Sequence, residues 1–110
     1  MCRFIAYLGK PITADELLLK PVNSLVHQSY SAGEMSEILN GDGFGLGWYV
    51  HIISDRPGLF RAITPAWNNR NLLYNAPLIL THCMFAHIRA ATEGSITDDN
   101  THPFQYEQYL

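Results

Sequence analysis

A cysteine stands second in the chain, in Met1-Cys2-Arg3-Phe4. Removal of Met1, which a small second residue permits, would make Cys2 the first residue. One Cα would then carry a thiol and a free α-amine. An α-amine titrates near about 7.7–8.0 and a free thiol near about 8.5, so both change charge close to neutrality. Such an amine can act as base to its own side chain, a known way to activate a nucleophile. The plainer reading of Cys2 is a small apolar residue on a first strand.

Arg89 is the second residue with chemical promise. It closes the apolar run that leads into Ala86-His87-Ile88-Arg89-Ala90-Ala91-Thr92. A cation there has to be paired or sit at a pocket edge, because burying it alone is costly. Its planar fork suits a carboxylate, either a substrate's or one of the chain's own. His82, Cys83, His87 and His102 raise a metal reading. On a strand, however, His82 and Cys83 point to opposite faces, and Cys83 and His87 stand about 13 Å apart. That is too far for one tetrahedral zinc, so no metal is expected. A Cys–His dyad built from Cys2 with His87 or His102 is an alternative that no local pattern supports. His102, before Pro103, reads as a loop-ordering residue.

The 110 residues suffice for one domain with one modest core. Charged residues make up 15% of the chain, well under the usual level of about 25%. Part of the surface is therefore expected to be covered by more chain or by a partner subunit. A net charge of −3 argues against nucleic acid as the main partner. Two cysteines are too few for a disulfide framework, and no apolar run approaches a membrane span. The expected setting is cytosolic.

The elements that must position these residues follow from local pattern. Arg3 to Leu8 reads as a strand stopping at Gly9-Lys10-Pro11. Thr13 and Glu16 form a capping-box pattern for a short helix ending before Pro21. Ser24 to Tyr30 is ambiguous, and 31–40 reads as loop with a helical turn. Gly41-Asp42-Gly43-Phe44-Gly45-Leu46-Gly47 reads as a turn opening a strand, and it lacks a dinucleotide-binding pattern. A turn at 54–58 and a strand from Leu59 to Thr64 complete a hairpin. Asn68 to Leu73 is an N-capped helix broken by Pro77. Leu78 to Arg89 is a central strand, 90–103 a polar loop, and Gln105 to Leu110 the start of another strand. The expected class is α+β, with mainly antiparallel sheet packed on helices.

Several segments resemble, in order and spacing, the class II glutamine amidotransferases of the N-terminal-nucleophile hydrolase superfamily. They are Met1-Cys2-Arg3-Phe4, Gln28-Ser29-Tyr30, Asn40 to Tyr49, Ala86 to Thr92 and Asn100-Thr101-His102-Pro103-Phe104. Phe60 to Asn69 is similar to a narrower, stand-alone branch linked to glutathione degradation. The resemblance implies the N-terminal part of a four-layer αββα sandwich, with residues 1–110 forming one incomplete domain. It implies hydrolysis of a γ-glutamyl amide, in glutamine or a γ-glutamyl peptide, through a thioester on Cys2, with no cofactor. Arg89 matches the arginine that holds the substrate's α-carboxylate, and Thr92 lies in the same substrate-side turn. The glycine segment is expected to run beside the nucleophile strand. The family's oxyanion Asn-Gly pair and the aspartate for the substrate's α-amine fall beyond Leu110. A catalytically inactive remnant that only binds a partner is the alternative.

Overall fold

The structure is a computed structural model that describes residues 2–30, 41–90 and 94–110. It is α+β. A four-stranded sheet in the order β1-β4-β2-β3 forms its frame, antiparallel at every pairing. The strands are β1 (Arg3–Thr13), β2 (Phe44–Tyr49), β3 (Gly58–Ala62) and β4 (Leu80–Ile88). Helices α1 (Ala14–Leu18), α2 (Leu25–Tyr30) and α3 (Arg70–Asn75) lie between them.

β4 is central, as its apolar run implies. It pairs with β1 on one side, Arg3 opposite Ile88, and with β2 on the other, Phe44 opposite Ile88. Alternation then divides its side chains. Met84, Ala86 and Ile88 join Phe44 and Leu46 in the core, against Leu18 of α1, Val26 of α2 and Leu72 of α3. Each fully buried large side chain contributes about 1.5–3 kcal/mol. The helices therefore lie against one face of the sheet.

The other face carries Phe4, Leu8 and Phe85, which are 67%, 80% and 39% exposed. Phe4 and Phe85 stack on each other, with ring centroids 5.8 Å apart.

Three expectations need correction. β1 does not stop at Gly9 but runs to Thr13, with a register shift between Leu8 and Ile12. Among the described residues it is an edge strand, where a proline can sit without breaking a ladder bond. The glycine strand β2 does not run beside β1, because β4 lies between them. The space left by its missing side chains is filled by the C-terminal segment: a Cβ on Gly45 would strike the His102 carbonyl, and one on Gly47 the Leu110 side chain. Finally, residues 105–110 form no strand. They turn back in a single Tyr106–Tyr109 bridge, and the Tyr49 hydroxyl donates to the Gln108 carbonyl and accepts from Leu110 N–H.

Of the helix starts, two carry side-chain caps and one expected cap does not form. Asn69 caps α3, its Oδ1 accepting from Leu72 N–H at 2.9 Å. Ser24 caps α2, accepting from His27 N–H. Thr13 precedes α1 but makes no side-chain cap bond, so the capping box does not form. The loop expected at 31–40 lies outside the described residues.

Candidate active site

The β1–β4 register fixes Cys2. Arg3 pairs with Ile88, so one further step brings Cys2 opposite Arg89. There the exposed Cys2 thiol meets the backbone of Ala90. Its Sγ lies 3.4 Å from the Ala90 N–H donor and 3.5 Å from the Ala90 carbonyl. A thiol can donate to that carbonyl, whereas a thiolate can only accept from the N–H. The same backbone unit thus has a contact for either form. No imidazole is needed to hold the sulfur.

Arg89 is buried, at 7% exposure. Its backbone is held by the turn that opens β2: Arg89 N–H donates to the Gly43 carbonyl, and Asp42 N–H donates to the Arg89 carbonyl. Gly43 has φ +133, a conformation open to glycine alone. The glycine segment therefore contributes to the site by fixing Arg89 rather than by flanking β1. The Arg89 Nη1 donates to the Ser95 carbonyl at 3.0 Å. Among the described residues no carboxylate pairs with it. Thr92 lies outside the described residues.

His87 and His102 come together on the exposed face of the sheet, ring centroids 4.7 Å apart, with Phe104 beyond His102 at 4.2 Å. Burial first, then the nearby His102 and Arg89 charges, push the His87 pKa down to about 4. His87 is thus neutral near pH 7, and its Nδ1 is buried without a partner among the described residues. The His102 ring packs between His87 and Phe104, and its backbone carbonyl lies against Gly45 where its segment crosses β2. Cys83 and His82 lie on the strand β4, adjacent and so on opposite faces. Among the described residues no three metal-ligating side chains gather.

One feature escaped the sequence. A cleft of about 480 Å³ opens beside Cys2, between β1 and the α1–α2 region, with Glu16, Asn23 and Gln28 among its polar residues. Its one trace in the sequence is Gln28, in a motif of no assigned role.

The family model described as "Glutamine amidotransferases class-II" matches residues 19–109. The chain belongs to the class II glutamine amidotransferases. Within that family it is 42% identical, over 113 residues, to the probable glutamine amidotransferase DUG3 of Saccharomyces cerevisiae. That match covers 96% of this chain and 32% of the yeast protein. It is 33% identical to the gamma-glutamyl-hercynylcysteine sulfoxide hydrolase of Mycobacterium tuberculosis, over 100% of this chain and 47% of that protein. The Mycolicibacterium smegmatis protein of that name is 32% identical, over 100% of this chain and 48% of its own length. The chain thus spans a third to a half of the curated relatives it matches. A glutamine aminotransferase class-II domain protein from Silicibacter pomeroyi shares the fold, with a TM-score of 0.58 at 23% identity, over 97% of this chain and 33% of that one. In this class II amidotransferase chain, Cys2 and Arg89 are brought together by adjacent strands, while His82, Cys83 and His87 are spread along one.

Proposed function

We propose that this chain is the nucleophile-bearing part of a γ-glutamyl amidase that works through a thioester on Cys2. The observation that carries this reading is the seat of the Cys2 thiol on the Ala90 backbone, one residue beyond Arg89. After Met1 is removed, the Cys2 α-amine takes the thiol proton. Sγ bonds to the γ-amide carbon, the C–N bond breaks, and the amine leaves with that proton. Water then splits the thioester, releasing the γ-carboxylate and restoring the thiol. Arg89 holds the substrate's α-carboxylate, and Thr92 is a second substrate contact. The substrate class is a γ-glutamyl amide, glutamine or a γ-glutamyl peptide. The setting proposed is the cytosol, with a partner subunit beside the small molecule.

The fold proposed for the whole protein is the four-layer αββα sandwich. Exposure of Phe4, Leu8 and Phe85 on the face away from the helices supports it, because an antiparallel sheet with two apolar faces needs cover on both.

Three measurements on the full-length gene product test the mechanism. Intact mass should show Met1 absent, and a γ-glutamyl electrophile should label Cys2. Cys2→Ala should abolish γ-glutamyl hydrolysis. Turnover near wild type in that variant would leave the thioester without support.

A further inference from the structure

Arg89 is tied to residues 94–101 through both its side chain and its backbone. The Ser95 carbonyl accepts from Arg89 Nη1 at 3.0 Å and from Asn100 Nδ2 at 3.1 Å. We propose that Asn100 is a positioning residue for substrate binding. It holds the Ser95 carbonyl where that carbonyl orients the Arg89 fork, and so sets affinity for the substrate's α-carboxylate without touching the substrate. This deepens the reading of Arg89 as the carboxylate handle and rests on it.

Chemistry is the first support. A carbonyl oxygen has two lone pairs, and here one serves Arg89 and the other Asn100. Asn100 Nδ2 also donates to Ser95 Oγ at 3.1 Å, so one amide group grips one residue at two points. The Ser95 carbonyl takes only one of the five N–H groups of a guanidinium, so it can orient the fork without using up the donors a carboxylate needs. A fork already held in place loses less freedom when the carboxylate arrives.

Local geometry is the second. A 3₁₀ turn, Asp98–Asn100, is closed by its own backbone: Asn100 N–H donates to the Thr97 carbonyl, and Thr101 N–H to the Asp98 carbonyl. The Asn100 side chain is not needed for that turn. It reaches back five residues to Ser95, which lies in neither helix nor strand.

Anchorage is the third. Thr101 is fully buried, and its hydroxyl donates to the Thr97 carbonyl at 2.9 Å. Its Oγ1 would stand 3.4 Å from a Cβ on Gly43, whose carbonyl accepts from Arg89 N–H. The segment is thus fixed beside the Arg89 backbone at one end. Asn100, next to Thr101, carries that fixity to the Ser95 carbonyl and so to the guanidinium.

The test uses the full-length protein with γ-glutamyl-p-nitroanilide and its α-methyl ester as substrates. The variants are Asn100→Ala, Asn100→Asp, Arg89→Ala and the double Asn100→Ala/Arg89→Ala. Asn100→Ala should raise KM for the free acid about three- to tenfold, the range of one ordinary hydrogen bond, and leave kcat and the ester's KM within about twofold. Asn100→Asp keeps the shape but loses both donors, so it should raise KM for the acid at least as much. In the Arg89→Ala background Asn100→Ala should add nothing, because it acts through Arg89. Equal rises for acid and ester, a loss confined to kcat, additive losses in the double variant, or a KM unmoved in both Asn100 variants would overturn the role of Asn100 while leaving Arg89 as the handle. An Arg89→Ala variant that treats acid and ester alike would remove the handle and its positioning residue together. In a protein that turns over neither substrate, protection of Cys2 against iodoacetamide by free L-glutamate reads the same ratios, as the concentration needed for half protection.

Discussion

The carbonyl of His102 lies over Gly45 so closely that a Cβ could not fit between them. This contact joins the C-terminal segment to the glycine strand. Pro103 and Leu110 repeat it at Gly47, and Tyr49 fastens the end of the segment through its hydroxyl. The glycines of β2 thus serve a layer that crosses the sheet, at the conformational cost glycine brings to a strand.

Gly45→Ala should therefore destabilise the chain by about 1–3 kcal/mol, the usual cost of overpacking against backbone that must move. Urea unfolding checks the magnitude. Limited proteolysis checks the mechanism, since the cuts should fall in 104–109 before they appear elsewhere. A variant as stable and as resistant as wild type would mean that the His102 carbonyl shifts at no cost.

Arg89→Ala should raise KM about 10–100-fold for substrates with a free α-carboxylate, matching the loss of a charge-assisted contact of about 1.5–3 kcal/mol. Substrates whose α-carboxylate is esterified should lose little, and Arg89→Lys should recover only part. If both substrate types lose kcat equally, Arg89 serves only to tie its strand end to Ser95, as its present hydrogen bond does.

His87 gives a pH dependence with a definite sign. Its folded pKa, about 4, lies below the ordinary value of 6.5 because burial disfavours its charge. Between those two values the unfolded chain binds the extra proton first. Stability should then be fully present above pH 6.5 and fall as pH drops toward 4. The ring is about half buried, so solvent screening limits the loss to about 1–2 kcal/mol. Urea midpoints at pH 7 and pH 4.5 measure it, and His87→Gln should flatten the difference. The groups facing His87 are His102 and Arg89, so His102→Gln should flatten it in part.

How far these features could be read in advance depends on the range of the interaction involved. The apolar run ending at Arg89 made β4 legible as the central strand, because apolar residues fall on both of its faces, although Phe85 on the face away from the helices stays exposed. Asn68-Asn69 before an apolar stretch made the start of α3 legible to within a residue, because a cap is a local bond. The position of Cys2 marked it as a candidate nucleophile, since that position depends on no fold at all. Strand order was not legible: nothing local in Gly41 to Gly47 says that His102 and Leu110, rather than β1, will fill the space beside them. The cleft was hidden for the same reason. Glu16 and Gln28 lie on different helices, and only tertiary packing brings both to one wall beside Cys2.

Two residues at helix starts offer a last comparison. Asn69 caps α3 through Oδ1 and also donates from Nδ2 to Thr64 Oγ1 at 3.1 Å, so it ties the helix to the segment leaving β3. Thr13 occupies the same kind of position before α1 without a cap bond. Asn69→Ala should cost about 1 kcal/mol, within the usual range of about 0.5–2 for a lost cap. Asn69→Asp keeps the acceptor, gains from a negative charge at the helix start, and loses only the donor to Thr64, so it should cost less. Thr13→Ala should lose no cap energy. Urea midpoints of the three variants give the order directly. Equal losses for Asn69→Ala and Asn69→Asp would show that the Thr64 link, and not the cap, is what Asn69 contributes.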